Sequence, residues 1–149
     1  MAGISLDTEK VFRKVIFAAI KQDDKSFEEL LETFASGQDL LAADQRASDV
    51  ASLIIAEQYK GRPTPEMVTR LADYVASMNE EWSGITAADF NAFIHAILED
   101  TPLESVLPTG VAIRAPFVLT AHLLIQFETS SEKAFDYLDR LWEVLETRK

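Results

Sequence analysis

Thr64-Pro65-Glu66-Met67-Val68-Thr69-Arg70-Leu71-Ala72-Asp73-Tyr74-Val75-Ala76-Ser77-Met78 is the stretch that decides the fold class. A threonine able to cap, followed by proline at the first helical position, is a strong helix start, because that proline gives up only an N–H that would have no partner anyway. Val68, Leu71, Ala72, Val75 and Met78 then follow at steps of three and four, the spacing of one helix face, and the helix should end before Gly84. The same spacing recurs in both directions along the chain. No alternating apolar and polar run bounded by turn residues competes with it. The expected fold is all-α, a single compact bundle of about seven or eight helices.

Toward the N-terminus, Val11, Phe12, Val15, Ile16, Ala19 and Ile20 give a first helix that ends near Gln22-Asp23-Asp24-Lys25. Ser26 and Glu29 read as a capping box for a second helix carrying Phe27, Leu30, Leu31 and Phe34, with Gly37 as its stop. A third helix, starting between Asp39 and Asp44, carries Ala47, Val50, Ala51, Ile54 and Ile55 and stops at Gly61. Toward the C-terminus, Thr86 and Asp89 form another box, with Ile85 and Phe90 stapled over the start and Phe93, Ile94, Ile97 and Leu98 completing the stripe. Thr101-Pro102-Leu103-Glu104 starts one or two turns that Pro108 and Gly110 break. A buried helix is expected over 116–127. The last helix is expected to be capped from Thr129-Ser130-Ser131, with Phe135, Leu138, Trp142 and Leu145 facing inward.

The order of long, short capped, apolar and amphipathic helix falls twice, over 9–78 and 87–145. Phe12, Val15, Ile16, Ala18 and Ile20 align there on Phe90, Phe93, Ile94, Ala96 and Leu98. Either an internal duplication or ordinary helical periodicity produces such a match.

The 149 residues suit one domain over 1–149, and 48% apolar residues are enough to bury a core. The absence of Cys excludes disulfides, thiolate metal sites and thiol nucleophiles. Twenty-five acidic against 14 basic residues leave 25 − 14 = 11 net negative charges, which oppose nucleic acid and anionic membranes. No Lys/Arg-rich stripe stands out to reverse that sign. The apolar stretch 111–127 is shorter than the roughly 20 residues of a spanning helix and contains Arg114, Pro116, His122 and Gln126, so it reads as a helix buried in protein. The first residues show no basic region followed by an apolar core. A cytoplasmic address is the expectation, resting on these absences.

Few residues fall in a pattern that carries chemistry. Gly37, Gly61, Gly84 and Gly110 fall at inferred helix ends or turns, leaving no cluster to cradle a phosphate. There is no HExxH helix, nucleophile elbow or calcium loop, and no cofactor or metal is expected. His95 and Glu99 share a helix face and read as a local ion pair rather than a metal site. His122 in the apolar helix reads as a hydrogen-bonded core histidine. Arg114 is the one formally charged residue from Ser105 through Phe127. It must either pair with one of the acids or bind a ligand.

In the last helix Glu132, Asp136, Asp139, Glu143 and Glu146 recur at steps of four and three. That stripe is either an ordinary solvated face or a docking strip for a basic protein partner. Trp82 either plugs the core or stands out as an interface anchor. The leading expectation is a non-enzymatic acidic helical protein that binds a basic protein through these residues, with a homodimer as a further arrangement. The alternative is a ligand-binding or enzymatic bundle with a pocket near Arg114 and His122.

Overall fold

The structure is a computed structural model and describes residues 4–148. Among the described residues seven helices form one bundle: α1 (Leu6–Ile20), α2 (Asp24–Leu31), α3 (Gly37–Gln58), α4 (Pro65–Ser83), α5 (Ala87–Leu98), α6 (Thr109–Gln126) and α7 (Ala134–Thr147), with a 3-10 turn, Leu103–Ser105, before α6. No strand occurs among the described residues.

Two starts form as the sequence predicts. Thr64 Oγ1 accepts from Met67 N with Pro65 at the first helical position, and Thr86 and Asp89 exchange both bonds of a capping box. Gly84, at φ 74, closes α4 in the left-handed region that glycine reaches without strain.

Other boundaries move. α2 is capped by Asp23, whose carboxylate accepts from Ser26 N and Ser26 Oγ, so Ser26 lies inside the helix instead of ahead of it. Gly37 does not stop α2 but opens α3, because Ser36 Oγ accepts from Asp39 N and makes Ser36 the cap. α3 ends at Gln58, and Gly61 N closes its end by donating to Ala56 O. α6 begins at Thr109, not near 116, and runs through both Gly110 and Pro116. A proline inside a helix forfeits a backbone bond and costs about 3 kcal/mol. Here Ala112, Ala115, Pro116, Phe117, Val118 and Leu119 are all buried, and their packing holds the helix together.

α7 is not capped from 129–131. Its first amide, Ala134 N, donates to the Glu128 carboxylate, while Thr129 Oγ1 accepts from Glu132 N. Met78, expected inward, is 51% exposed; Ala76, Asn79 and Ser83 complete the buried face of α4 instead.

α6 is the central element and packs against α1, α3, α4, α5 and α7. Small residues on α3, Ala43, Ala47 and Ala51, are fully buried, and Thr120 Oγ1 donates to Ala47 O across the crossing. Phe12, Phe27, Phe34, Phe117 and Trp142 interlock as mostly edge-to-face rings at one end of this core. By length and composition α6 is the one described helix able to cross a membrane, yet 56% of it is buried in the bundle and it carries Arg114 and Pro116.

Candidate functional site

The residues singled out in the sequence are held mainly by contacts inside the protein. On α7, Asp139 Oδ1 lies 2.7 Å from Arg13 Nη1 of α1, and Glu146 Oε2 lies 2.9 Å from Arg46 Nη2 of α3. Glu132 receives Arg140 Nε and Nη2. Asp136 and Glu143 are the two stripe acids with no ion pair among the described residues. Two of the five stripe acids, Asp139 and Glu146, therefore fasten α7 to α1 and α3, with the Arg13 and Arg46 guanidiniums set at 5.7 and 4.5 Å from the Trp142 ring.

Arg140 adds a second tie. It meets Glu57 of α3 in bidentate fashion at 2.8 and 2.9 Å, and Tyr137 Oη donates to the same carboxylate at 2.7 Å. The Arg140 bonds hold the Glu57 carboxyl down at about 2, while burial pushes the Tyr137 phenol up to about 12.

Arg114 pairs internally: Nε lies 3.0 Å from Glu28 Oε2 and Nη2 lies 3.4 Å from Asp24 Oδ1, which fastens α2 to α6. His122 is likewise satisfied. Its Nδ1 accepts from Asn79 Nδ2 at 3.0 Å, its Nε2 donates to Gln126 at 2.9 Å, and burial lowers its pKa. Asn79 Oδ1 accepts from the indole of Trp82, whose ring stands edge-on to Phe27. Trp82 is thus a half-buried plug. Arg114 and His122 sit eight residues apart on α6, roughly 12 Å along its axis at 1.5 Å per residue. Three clefts stand out on the surface, and neither residue lines any of them. His95 Nδ1 and Glu99 form the expected local pair at 3.7 Å, and no group of three potential metal ligands occurs among the described residues.

The most distinctive surface is one the sequence reading passed over. Two adjoining clefts, of about 560 and 520 Å³, share Phe17, Lys21 and Phe135 and run between α1, α2 and α7. Phe17 and Phe135 form a ridge between them with ring centres 6.4 Å apart. Ala18 and Leu30 line one basin; Ile20, Ile125 and Ala134 line the other. Phe17 is 50% exposed and Ile125 43% exposed, values well outside those of the core.

Around this apolar floor stand Lys14, Lys21 and Lys133, none of which makes an ion pair among the described residues. Lys21 Nζ rests 5.3 Å from the Phe17 ring centre. The absence of a basic stripe, expected from the overall charge, is corrected here. Lys10, Lys14, Phe17 and Lys21 follow one face of α1 at steps of four, three and four, and 10–22 holds Lys10, Arg13, Lys14 and Lys21 with no acid. A short-window charge count would have found it.

Compared with known proteins, the chain matches no family model, no curated protein and no solved structure.

Proposed function

We propose that the protein is a non-enzymatic binding module whose protein partner lays an amphipathic helix, apolar in the middle and acidic at its edges, across the α1–α2–α7 groove. The observation that carries this reading is the set of lysines without ion pairs, Lys14, Lys21 and Lys133, beside the exposed Phe17 and half-buried Phe135 in a chain of net charge −11. Two basins on either side of a ridge suit large apolar side chains three or four residues apart on a docked helix. Free lysines on the rim attract carboxylates and set orientation more than they add affinity. The partner's docking edge is then acidic, not basic as the α7 stripe alone implied. Asp139, Glu146 and Glu132 support the basic-partner reading less, because each already holds an arginine.

The test is fluorescence anisotropy with two labelled helical peptides that share Leu and Phe anchors at i, i+4 and i+7, one flanked by Glu and the other by Lys. The Glu-flanked peptide should bind, weaken steeply with salt, and lose about tenfold in affinity with Phe17→Ala or with Lys14→Glu and Lys21→Glu combined, as expected for an apolar anchor or a pair of rim charges. Tighter binding of the Lys-flanked peptide, or equal binding by the variants, would overturn the reading.

A further inference from the structure

The groove has a counterpart on the same molecule. On α4, Met67, Tyr74 and Met78 are exposed and, at steps of seven and four, form one strip along the helix. The rest of the outer face of α4 is acidic. Glu66, Asp73, Glu80 and Glu81 stand there against Arg70 alone, 4 − 1 = 3 net negative charges, and Arg70 is already paired with Glu66. Asp73, Glu80 and Glu81 make no ion pair among the described residues. An apolar strip with acids beside it is the complement of an apolar groove with lysines beside it.

Strip and groove are neighbours. Gln22, directly after Lys21, donates its side-chain amide to Met78 O at 2.7 Å. The Tyr74 ring meets the His122 ring edge-on with 5.3 Å between centres, and His122 bonds to Gln126 one turn on, next to Ile125 of the groove wall. The strip therefore borders the groove along the C-terminal ends of α1 and α6. It cannot enter the groove of its own molecule, because the other face of α4, with Val68, Leu71, Ala72 and Val75, is packed in the core.

This placement decides the kind of assembly. Complementary patches far apart on a molecule join copies head to tail, whereas patches side by side are exchanged by a two-fold rotation about an axis between them. Each copy then seats its α4 strip in the other's groove, and every contact is made twice. Tyr74 and Met78, four residues apart, supply large side chains for the basins beside Phe17, and the flexible thioether of Met78 adapts to their floor. Asp73, Glu80 and Glu81 bring the carboxylates that Lys21 and Lys133 lack.

We propose that the protein forms a two-fold dimer in which each groove is occupied by α4 of the second copy. The inference rests on the groove reading and names its partner. Sedimentation equilibrium of the full chain from micromolar to millimolar concentration should show monomers in equilibrium with a dimer and nothing larger. Two variants reverse exposed charges, Lys21→Glu with Lys133→Glu in the groove and Glu80→Lys with Glu81→Lys on α4. Each should keep the wild-type circular dichroism and self-associate at least about tenfold more weakly, since like charges then meet at both copies of the contact. Their equimolar mixture should recover the wild-type dimer, because reversed groove meets reversed strip and native meets native. Tyr74→Ala should weaken the dimer while leaving the groove's affinity for the Glu-flanked peptide unchanged. Wild-type protein that stays monomeric yet binds that peptide would overturn the second-copy inference and leave the groove reading standing; protein that does neither would overturn both. Assemblies that grow past the dimer, or a mixture that associates no better than its components, would also overturn the inference.

Discussion

Two regions of this molecule use basic side chains in opposite ways. Along the seams of α7 with α1 and α3, every cation is an arginine already held: Arg13 by Glu9 and Asp139, Arg46 by Glu146, Arg140 by Glu57 and Glu132. Around the α1–α2–α7 groove, the free cations are lysines that make no ion pair among the described residues, although Asp23, Glu128 and Asp136 also line it, and they stand beside a Phe17 ring left half in water. A guanidinium can hold two carboxylates and stack on an aromatic ring at once, which suits a fastening; an ammonium on a flexible stem suits a contact that must come and go. Nine of the 25 acids pair with an arginine among the described residues, and Glu132, Asp139 and Glu146 of the α7 stripe are among the nine, so that stripe is less free for another molecule than the lysine rim and the ring ridge.

The largest effects are expected on α1, whose two faces belong to the two regions. Phe12 is fully buried against Phe117 and Trp142, so Phe12→Ala should cost about 3–5 kcal/mol in urea unfolding, while Phe17→Ala, half exposed, should stay within about 1 kcal/mol. Similar losses from both would mean that the ridge is core and not a docking surface.

Asp44 sharpens the contrast, since it is a buried carboxyl with no arginine. Its Oδ1 lacks any hydrogen bond and burial raises its pKa to about 8. The folded state then holds this proton to higher pH than the unfolded state, so stability present below about pH 4 is lost as pH rises toward 8. Asp44→Asn should raise stability at pH 8 by about 1–3 kcal/mol and flatten that slope in thermal melts. Glu57, with its arginine and a pKa near 2, has the opposite sign. Its contribution is present above about pH 4 and is lost as pH falls toward 2, and Glu57→Gln should remove that acid-side loss.

Smaller effects follow at the fastenings and the rim. Arg46→Ala, which strips the guanidinium from Trp142 and leaves Glu146 unpaired, should cost about 1–2 kcal/mol. Lys14→Glu should change unfolding by no more than about 0.5 kcal/mol, because it touches no partner. Its effect should be confined to peptide binding.

How much of this was legible in the sequence differs by residue. The Thr64-Pro65 and Thr86–Asp89 starts were readable because capping acts within four residues and needs no tertiary partner. Of the two fates the sequence left open for Arg114, a carboxylate or a ligand, the structure shows the carboxylates of Glu28 and Asp24. Gly37 and Pro116 misled because local preference was outweighed, by the Ser36 cap in one case and by close packing of α6 in the other. The groove was missed because a net charge of −11 hides a window with four cations and no acid. The α4 strip was missed because Met78 was expected inward, and the Gln22–Met78 bond that sets it beside the groove spans 56 residues, beyond any spacing rule.

The place of α6 in the centre has a consequence for synthesis. Phe12 and Ala47 both lean on a helix that ends at Gln126, and the Thr120–Ala47 bond spans 73 residues. A growing chain therefore carries the bare apolar faces of α1 and α3 until α6 has left the ribosome, on the order of 10 s after α3 at roughly 5–20 residues per second. During that interval those faces are open to contact with other chains, and the bundle closes only once α6 is available to cover them.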